Sequence, residues 1–163
     1  MLKFNLPQNM LEKDQYLALP SLQKEEYINN ILREILRLNP LGITVSQISK
    51  ATYFGRSTIW HHVELLAAKG ECLRLERGNI DVYHLNEVIM HLKELRVEGT
   101  KLGSYYDFDL VKNSYDNYVR IQRKRESRTE ANNTKQGIIV PYTSFNDFLN
   151  ALNVIKEQLS SNK

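Results

Sequence analysis

Two adjacent histidines stand out among the residues of this 163-residue chain that could do chemistry. In GRSTIWHHVELLAAKGE, residues 55–71, His61 and His62 directly follow a tryptophan and could bind a metal, act as a base or contact nucleic acid. Neighbouring helical positions point about 100° apart, so this pair cannot share one metal well. His84 and His91 lie elsewhere, with no carboxylate at a ligand spacing. We therefore expect no metal site and no cofactor.

No catalytic motif accompanies these histidines. The sequence contains no Ser-His-Asp order, no glycine-rich phosphate loop and no paired carboxylate motif, so we do not expect an enzyme. The one cysteine, Cys72, excludes an internal disulfide and a cysteine-rich zinc site. We interpret Cys72 as a small buried hydrophobic residue.

The charge pattern around the histidines favours nucleic acid. No acidic residue lies between Glu34 and Glu64, whereas Arg37, Lys50 and Arg56 do. A surface that approaches phosphates has to keep carboxylates away. The net charge of +3 is only mildly basic. The interpretation therefore rests on how the charges are distributed along the chain and not on the net charge.

Three helices and a hairpin must position these residues. Apolar side chains at helical spacing predict a helix capped by Ser21, a short helix capped by Thr44 and a third helix over about 58–69, capped by Ser57. CLRLE and IDVYHL alternate on either side of a Gly-Asn turn and predict a hairpin. Residues 1–20 lack a clear period and are interpreted as a mobile arm or a strap over the first domain.

The stretch VSQISKATYFGRSTIWHHVELLAAKGECLRLERGNIDVYHLN resembles the winged helix-turn-helix domains of prokaryotic transcription regulators. The resemblance rests on a support helix, a glycine-containing turn, a helix opening Ser-Thr-Ile-x-x-His, a Lys-Gly stop and a Gly-Asn wing tip. We expect the domain over 21–90. It implies a third helix in the major groove and a wing on the backbone or minor groove. The residues then expected on DNA are Gln47, Arg56, Ser57, Thr58, Trp60, His61, His62, Arg74, Arg77 and Asn79.

Two alternatives stay open for this first domain. Trp60 could pack under the wing or in a dimer contact instead of reaching DNA. The whole domain could also serve only for protein contact, which would leave its polar helix face without a nucleic-acid ligand.

Residues beyond Gly99 change to a period of two, which predicts strands. Residues 86–101 are ambiguous, and we predict a helix for their first part with the boundary near Arg96 open. GIIVPY is predicted as a further strand, 126–136 as a polar loop, and Ser144 as the cap of a final helix. Together these elements predict a small antiparallel sheet covered by one long helix.

The second half, expected over 91–163, resembles a Pur-alpha-type (PUR) repeat, which has four strands and a helix. YYDFDLVKN, DNYVRIQ and GIIVPYTSFNDFLNAL carry the resemblance, over about 93–159. It implies a nucleic-acid-binding repeat, usually completed by a second one, with Lys112, Asn113, Tyr118 and Arg120 at binding positions. Asp116 replaces the turn glycine of the family, and Asn117 replaces a basic residue. Whirly and transcription-coactivator single-strand binders are similar at this level.

Alternation places the polar side chains of this predicted sheet on one outward face, where aromatic and basic residues could stack unpaired bases. The alternatives are an exposed edge strand whose charges prevent aggregation, or a surface for a partner protein. The residues of the predicted stacking platform are Tyr105, Tyr118, Arg120, Gln122 and Lys124. Lys112 and Asn113 lie just before the turn and could clamp a backbone phosphate beside this platform.

The sequence thus predicts an α+β protein with an N-terminal winged helix-turn-helix and a PUR- or Whirly-like sheet and helix. We expect a DNA-binding transcription regulator that reads duplex DNA, with single-stranded DNA or RNA as further ligands of the sheet. The apolar stripe of the final helix exceeds what one small sheet can cover, which predicts a homodimer. The alternative is a non-catalytic adaptor that uses the winged helix for protein contacts. No membrane segment or signal peptide is indicated, so we expect a cytoplasmic protein, associated with the nucleoid if it is prokaryotic.

Overall fold

The computed structural model describes residues 4–97, 104–125 and 134–161. Within these ranges the protein is α+β, with five α-helices and two antiparallel sheets. The helices are α1 (Lys13–Ala18), α2 (Ser21–Leu38), α3 (Val45–Ala51), α4 (Arg56–Ala68) and α5 (Phe145–Ser161). The strands are β1 (Cys72–Arg77), β2 (Ile80–Leu85), β3 (Glu87–Val97), β4 (Ser104–Lys112), β5 (Asn117–Arg125) and β6 (Thr134–Pro141), and a 3₁₀ turn, Tyr142–Ser144, precedes α5.

The first unit, residues 4–86, has a closed apolar core between α2, α3, α4 and the β1–β2 hairpin. The predicted cap Thr44 is confirmed, since its side chain accepts the Gln47 amide at 3.2 Å. Two other predicted caps are wrong by one or two residues: Pro20 precedes α2 and Gly55 precedes α4. The buried core residues are Ile28, Ile31, Leu32, Ile35, Leu36, Ile43, Val45, Ile48, Phe54, Ile59, Val63, Leu66, Cys72 and Tyr83.

Residues 4–20 form a strap over this core, one of the two forms predicted for the N-terminal segment. Phe4, Leu6, Met10 and Tyr16 pack against the core cluster. Asparagine side chains fasten the strap, because the Asn39 carboxamide donates to the Asn5 carbonyl at 2.8 Å. The strap therefore closes one side of the first unit and leaves the outer side of α4 uncovered.

The predicted helix after residue 86 is wrong, because β3 occupies Glu87–Val97 and pairs antiparallel with β4. The register between these strands shifts between Val88 and Met90 and again between His91 and Lys93. Each extra residue in a strand changes which face the following side chains point to. These irregularities break the alternation and give the apolar residues a spacing that imitates a helix. The predicted domain boundary at 90/91 consequently falls inside β3.

The second unit consists of the sheet β3-β4-β5-β6, in chain order, and α5. Strand register gives the sheet two chemically different faces. The apolar face contains Met90, Leu95, Tyr106, Phe108, Leu110, Val119, Ile121, Ile138 and Val140. The polar face contains His91, Tyr105, Asp107, Asp109, Val111, Tyr118, Arg120, Gln122, Lys124 and Gly137.

The final helix begins at Phe145, directly after the predicted cap position Ser144, but it does not cover the sheet as predicted. No residue of α5 is buried, and its main contacts are with the 3₁₀ turn and β6. Only three residues separate the edge strand β6 from the helix, so α5 starts at the sheet margin. The predicted loop 126–136 is also shorter, because 134–136 belong to β6, while 126–133 lie outside the described residues.

Candidate nucleic-acid interface

An open groove of about 950 Å³ lies between α3, the start of α4 and the tip of the β1–β2 hairpin. Trp60 is 53% exposed at its wall. Five of the residues predicted to contact DNA line this groove together, although they come from three separate elements. They are Gln47, Arg56, Ser57, Trp60 and Asn79.

Helix orientation explains why these side chains face the groove. Ile59, Val63 and Leu66 are fully buried and fix one side of α4 against the core. Helical periodicity then turns Arg56 and Trp60 outward. The predicted apolar stripe of this helix is therefore confirmed.

The hairpin tip and α3 complete the groove through local backbone geometry. Gly78 adopts a φ of 64° at the hairpin turn, which a side chain would strain, and the turn places Asn79 beside the groove. On α3, the Thr44 amide donates to the Gln47 side-chain oxygen at 2.9 Å in a capping box. This bond anchors Gln47 by its oxygen, so its amide nitrogen is the end that can donate to a ligand.

The carboxylates in and near the groove form ion pairs or hydrogen bonds with neighbouring side chains. Asp81, the one acidic residue among those lining the groove, pairs with Arg74 at 3.0 Å. Arg74 also pairs with Glu64 at 3.2 Å, and Glu64 accepts the Tyr83 hydroxyl at 2.6 Å. The hydrogen bond to Asp81 and the charge of Glu64 raise the pKa of Arg74. Within the part of the chain that the structure describes, Lys50 and Arg56 are therefore the groove cations that pair with no carboxylate.

Not every residue predicted for DNA lies on this surface. His62 is buried and donates from Nδ1 to the Asn29 side-chain oxygen at 2.8 Å, and burial lowers its pKa. Its predicted DNA contact is wrong, because the side chain points into the first unit. Thr58 is half-buried and His61 exposed, both outside the groove lining. Arg77 is exposed but holds Tyr115 through a hydrogen bond and its ring face, and so joins the hairpin to the second unit.

The prediction of an exposed stacking platform on the sheet is wrong, because its central side chains are buried. Tyr105, Tyr118, Arg120, Gln122 and Lys124 share one face, as predicted, whereas Lys112 lies on the opposite, apolar face. Tyr118, Arg120 and Gln122 are each at least nine-tenths buried. Arg120 pairs with Asp109 at 2.8 Å, and Lys124 pairs with Asp107. Bases cannot stack on side chains that are covered by protein. The remaining predicted residues divide: Lys112 is exposed, Tyr105 is half-buried and Asn113 is buried.

The polar face is covered by the end of α4 and the chain that follows it. Gln122 donates to the Lys69 carbonyl at 2.7 Å, and Asn86 donates to the Gly70 carbonyl at 3.0 Å. Asn113 donates in turn to the Asn86 side-chain oxygen at 2.9 Å. These bonds satisfy carbonyl groups that the end of a helix leaves without partners. The polar face thus serves as the docking surface between the two units.

Gly137 permits this close approach, since a Cβ there would overlap the Lys69 carbonyl group. Glycine within a strand is a signal of close backbone approach, so the sequence carries a signal for this contact. The hydrogen bond between Asn86 and Asn113 has no such sequence signal, because nothing in the sequence shows that two asparagines in separate loops will meet.

A second junction lies around His84, which is almost fully buried. Its Nδ1 donates to the Pro40 carbonyl at 3.3 Å and lies 3.1 Å from the Ser114 hydroxyl. Its Nε2 accepts the Tyr115 hydroxyl at 3.3 Å. Burial lowers the pKa of His84, although the bond to Pro40 acts in the opposite direction. We assign His84 a structural role, because each ring nitrogen faces a protein group.

The Asp109 carboxylate accepts hydrogen bonds from two basic side chains of the polar face, Arg120 and His91. Burial by itself raises its pKa, but hydrogen bonds from Arg120 and from His91, at 2.9 Å, outweigh burial and leave the pKa below its ordinary value. Arg120 Nε is buried without a hydrogen-bond partner. The stability of the Asp109–Arg120 pair therefore depends on keeping both charges together in a buried contact.

Comparisons with known proteins give no further assignment, since no family model, no curated protein and no solved structure matches the chain. Among the described residues, no group of three His, Cys, Asp or Glu side chains is arranged to hold a metal ion. No helix in the described ranges is both long and apolar enough to cross a membrane.

Proposed function

We propose that the protein binds duplex DNA through the groove between α3, α4 and the hairpin, with the first unit acting as a winged helix-turn-helix. The observation that carries this proposal is the convergence of Gln47, Arg56, Ser57, Trp60 and Asn79 from three elements on one open surface. The order of three helices followed by a hairpin supports it, as does the lack of acidic residues between Glu34 and Glu64. Transcription regulation is the role that the winged-helix resemblance implies.

The groove chemistry suits a duplex in two ways. Arg56 and Lys50 provide positive charge for phosphates, which supplies the salt-dependent part of binding. Amide and hydroxyl groups of Gln47, Ser57 and Asn79 can donate to or accept from base edges and backbone oxygens. The negative charge of Asp81 is partly offset by Arg74, which also pairs with Glu64.

The second unit is assigned a different role within this proposal. Four antiparallel strands in chain order followed by a helix support a PUR-like arrangement. The side chains that would stack bases are buried, so we assign this unit no single-stranded ligand. Its polar face instead braces the first unit from behind α4.

A second candidate function is a protein-binding adaptor. Trp60 and Ile80 are both more than half exposed on the same groove, and an exposed aromatic beside an exposed aliphatic residue is typical of a protein contact. An adaptor would use this apolar pair and would not depend on Lys50 and Arg56. The two functions therefore differ in their response to loss of the cations.

The direct test is a titration of a fluorescently labelled random duplex with the full chain and with Lys50→Ala/Arg56→Ala. We expect wild-type binding and a loss of about 1–3 kcal/mol in binding free energy for each phosphate or base contact removed. Lys13→Ala is the matched control, because Lys13 is an exposed lysine on α1, outside the residues that line the groove. It should bind as the wild type does.

Two outcomes would overturn the proposal. Equal affinity of the double variant and the wild type would remove the groove from DNA binding. The same loss per charge removed in Lys13→Ala as in the double variant, which removes two charges, would show attraction to overall charge only. Unfolding curves of the three proteins should coincide, since all three side chains are exposed.

A further inference from the structure

The tip of the β1–β2 hairpin is held by a residue of the second unit. Arg77 and Ile80 face each other across the turn at 78–79, and Ile80 lines the groove, so Arg77 lies beside the groove. The Arg77 guanidinium donates a hydrogen bond to the Tyr115 hydroxyl and lies 5.9 Å from the centre of the Tyr115 ring. Tyr115 belongs to the loop between β4 and β5. A loop of the second unit therefore holds an arginine next to the groove of the first.

Tyr115 is itself anchored from two directions. The Asn113 side-chain oxygen accepts the backbone N–H groups of Tyr115 at 2.8 Å and of Asp116 at 3.2 Å, which fixes the backbone of the loop. The Tyr115 hydroxyl donates to Nε2 of His84 at 3.3 Å, and the two rings meet edge to face with their centres 4.8 Å apart. Because His84 is almost fully buried, the half-exposed Tyr115 ring has a fixed base in the protein interior.

The hydrogen bonds from Arg77 to Pro40 run in one direction, which gives each group a single role. An arginine can only donate and a carbonyl can only accept, so Tyr115 accepts from Arg77 and donates to His84, while His84 Nδ1 donates to the Pro40 carbonyl. Burial, together with the charge of Arg77, lowers the pKa of His84, so the ring is neutral at neutral pH and Nε2 can accept. Loss of the Tyr115 hydroxyl would therefore remove two of these bonds at once.

Most of the Arg77 guanidinium stays available to a ligand. Tyr115 is its only hydrogen-bond partner among the described residues, and that bond uses one N–H group of an exposed side chain. A guanidinium that is already oriented loses less conformational freedom than a mobile one when a phosphate binds its other N–H groups. The bond to Tyr115 thus favours the binding of an anion at this place.

We propose that Tyr115 is a positioning residue for DNA binding, which holds Arg77 beside the groove so that its remaining N–H groups can bind a phosphate of the duplex. This inference rests on the proposed function of the groove. It extends that function, because the second unit then contributes to DNA binding through Tyr115 without contacting the DNA itself.

Duplex titrations of the full chain test the proposal with Tyr115→Phe, Arg77→Ala and the double variant. Tyr115→Phe keeps the ring and removes the hydroxyl, so binding should weaken about 2- to 10-fold, because Arg77 must then be ordered on binding. Arg77→Ala should reduce the magnitude of the salt slope by about 1 for each protomer bound. In the Arg77→Ala background, Tyr115→Phe should change the affinity no further. Tyr142→Phe is the matched control, since Tyr142 is an exposed tyrosine of the 3₁₀ turn outside the groove lining, and it should bind as the wild type does.

Two binding results would overturn the positioning role. Unchanged affinity of Tyr115→Phe would show that Arg77 gains nothing from the hydroxyl. The same weakening by Tyr115→Phe in both backgrounds would show that Tyr115 acts through the structure in general and not through Arg77.

A measurement without DNA separates this inference from the proposed function. ¹⁵N relaxation of the Arg77 Nε–H group should show a more ordered side chain than Arg56, and Tyr115→Phe should move Arg77 towards the mobility of Arg56. An Arg77 as mobile as Arg56 in the wild type would refute the positioning role whether or not DNA binds. A wild type that binds no duplex would instead refute the proposed function of the groove.

Discussion

Two surfaces of this protein have the same sequence character, and the structure treats them in opposite ways. The groove on the first unit and the polar face of the second sheet both combine an aromatic ring with arginine and amide side chains. The groove is open, with Trp60 half exposed, whereas Tyr118, Arg120 and Gln122 are covered by the end of α4. Polar chemistry on one face of an element therefore does not establish that water or a ligand reaches it.

The difference arises from what each surface meets. Arg56 and Lys50 pair with no carboxylate among the residues that the structure describes, while Arg120 is held by Asp109. Carboxylates on the second surface were visible in the sequence, as DFD in β4. The register of β4 against β5 places both carboxylates on the same face as Arg120, and Asp109 pairs with it there.

The largest effect should come from Arg120→Ala. This change leaves the Asp109 carboxylate buried with much of its compensation removed, and breaking a buried pair on one side costs about 3–5 kcal/mol of unfolding free energy. Urea denaturation measures the loss. Arg56→Ala is the matched control on the open surface and should change stability by less than about 0.5 kcal/mol.

The same pair offers a stricter check. Asp109→Ala/Arg120→Ala removes both charges and should recover part of the stability lost in the single variant. A single variant as stable as Arg56→Ala would mean that the polar face is solvated, and the contrast between the two surfaces would then disappear.

A smaller loss is expected for Gly137→Ala. The added methyl group would overlap the Lys69 carbonyl group, so the sheet must move away from the end of α4, at a cost of about 1–3 kcal/mol. Gln136→Ala is the neighbouring control on an exposed side chain and should be nearly neutral. Denaturation curves that coincide for the two variants would contradict the docking of the sheet on α4.

Acid should weaken the same contact. The pKa of Asp109 is lower in the folded protein than its ordinary value of 3.8, so its contribution to stability is complete at neutral pH. The contribution is lost as the pH falls below that value and through the folded pKa. Unfolding measured along an acid series should show this loss in the wild type and lack this component in Asp109→Asn. An identical acid dependence of the two proteins would refute the assignment.

On the open surface, Trp60→Ala should affect binding more than folding. Trp60 is the only tryptophan in the chain, and its emission should change when duplex DNA is added to the wild type. We expect Trp60→Ala to lose stability by no more than about 1 kcal/mol, because half the side chain is already exposed. Tryptophan emission that does not respond to saturating DNA would place Trp60 outside the interface.

Sequence patterns were sufficient where a local rule decides the structure. The Thr44 cap, the stripe Ile59-Val63-Leu66 and the glycine at the hairpin turn depend on neighbours within a few residues. Patterns were insufficient for β3, because its register shifts give Val88 and its apolar neighbours a helix-like spacing. They were also insufficient for His62, which looks like its exposed neighbour His61 until Asn29 of α2 lies against it.

The candidate site shows the same division. Three groove residues, Arg56, Ser57 and Trp60, were identified because α4 has one apolar side and its other residues must face outward. Gln47 and Asn79 were identified through the winged-helix resemblance alone. The burial of the predicted platform was not identified from the sequence, since burial of Gln122 depends on a contact with Lys69, far away in the chain. Alternation defines the two faces of a strand, but only the folded chain shows which face another element covers.

The salt dependence of duplex binding tests the central claim, that the groove and not the sheet contacts DNA, most directly. The logarithm of the wild-type association constant should fall linearly with the logarithm of salt concentration, with a slope of about −0.9 per phosphate contacted. Arg56→Ala should reduce the magnitude of that slope by about 1 for each protomer bound. Lys124→Ala, on the polar face beside Asp107, should leave it unchanged. A slope unchanged by Arg56→Ala but reduced by Lys124→Ala would contradict the account.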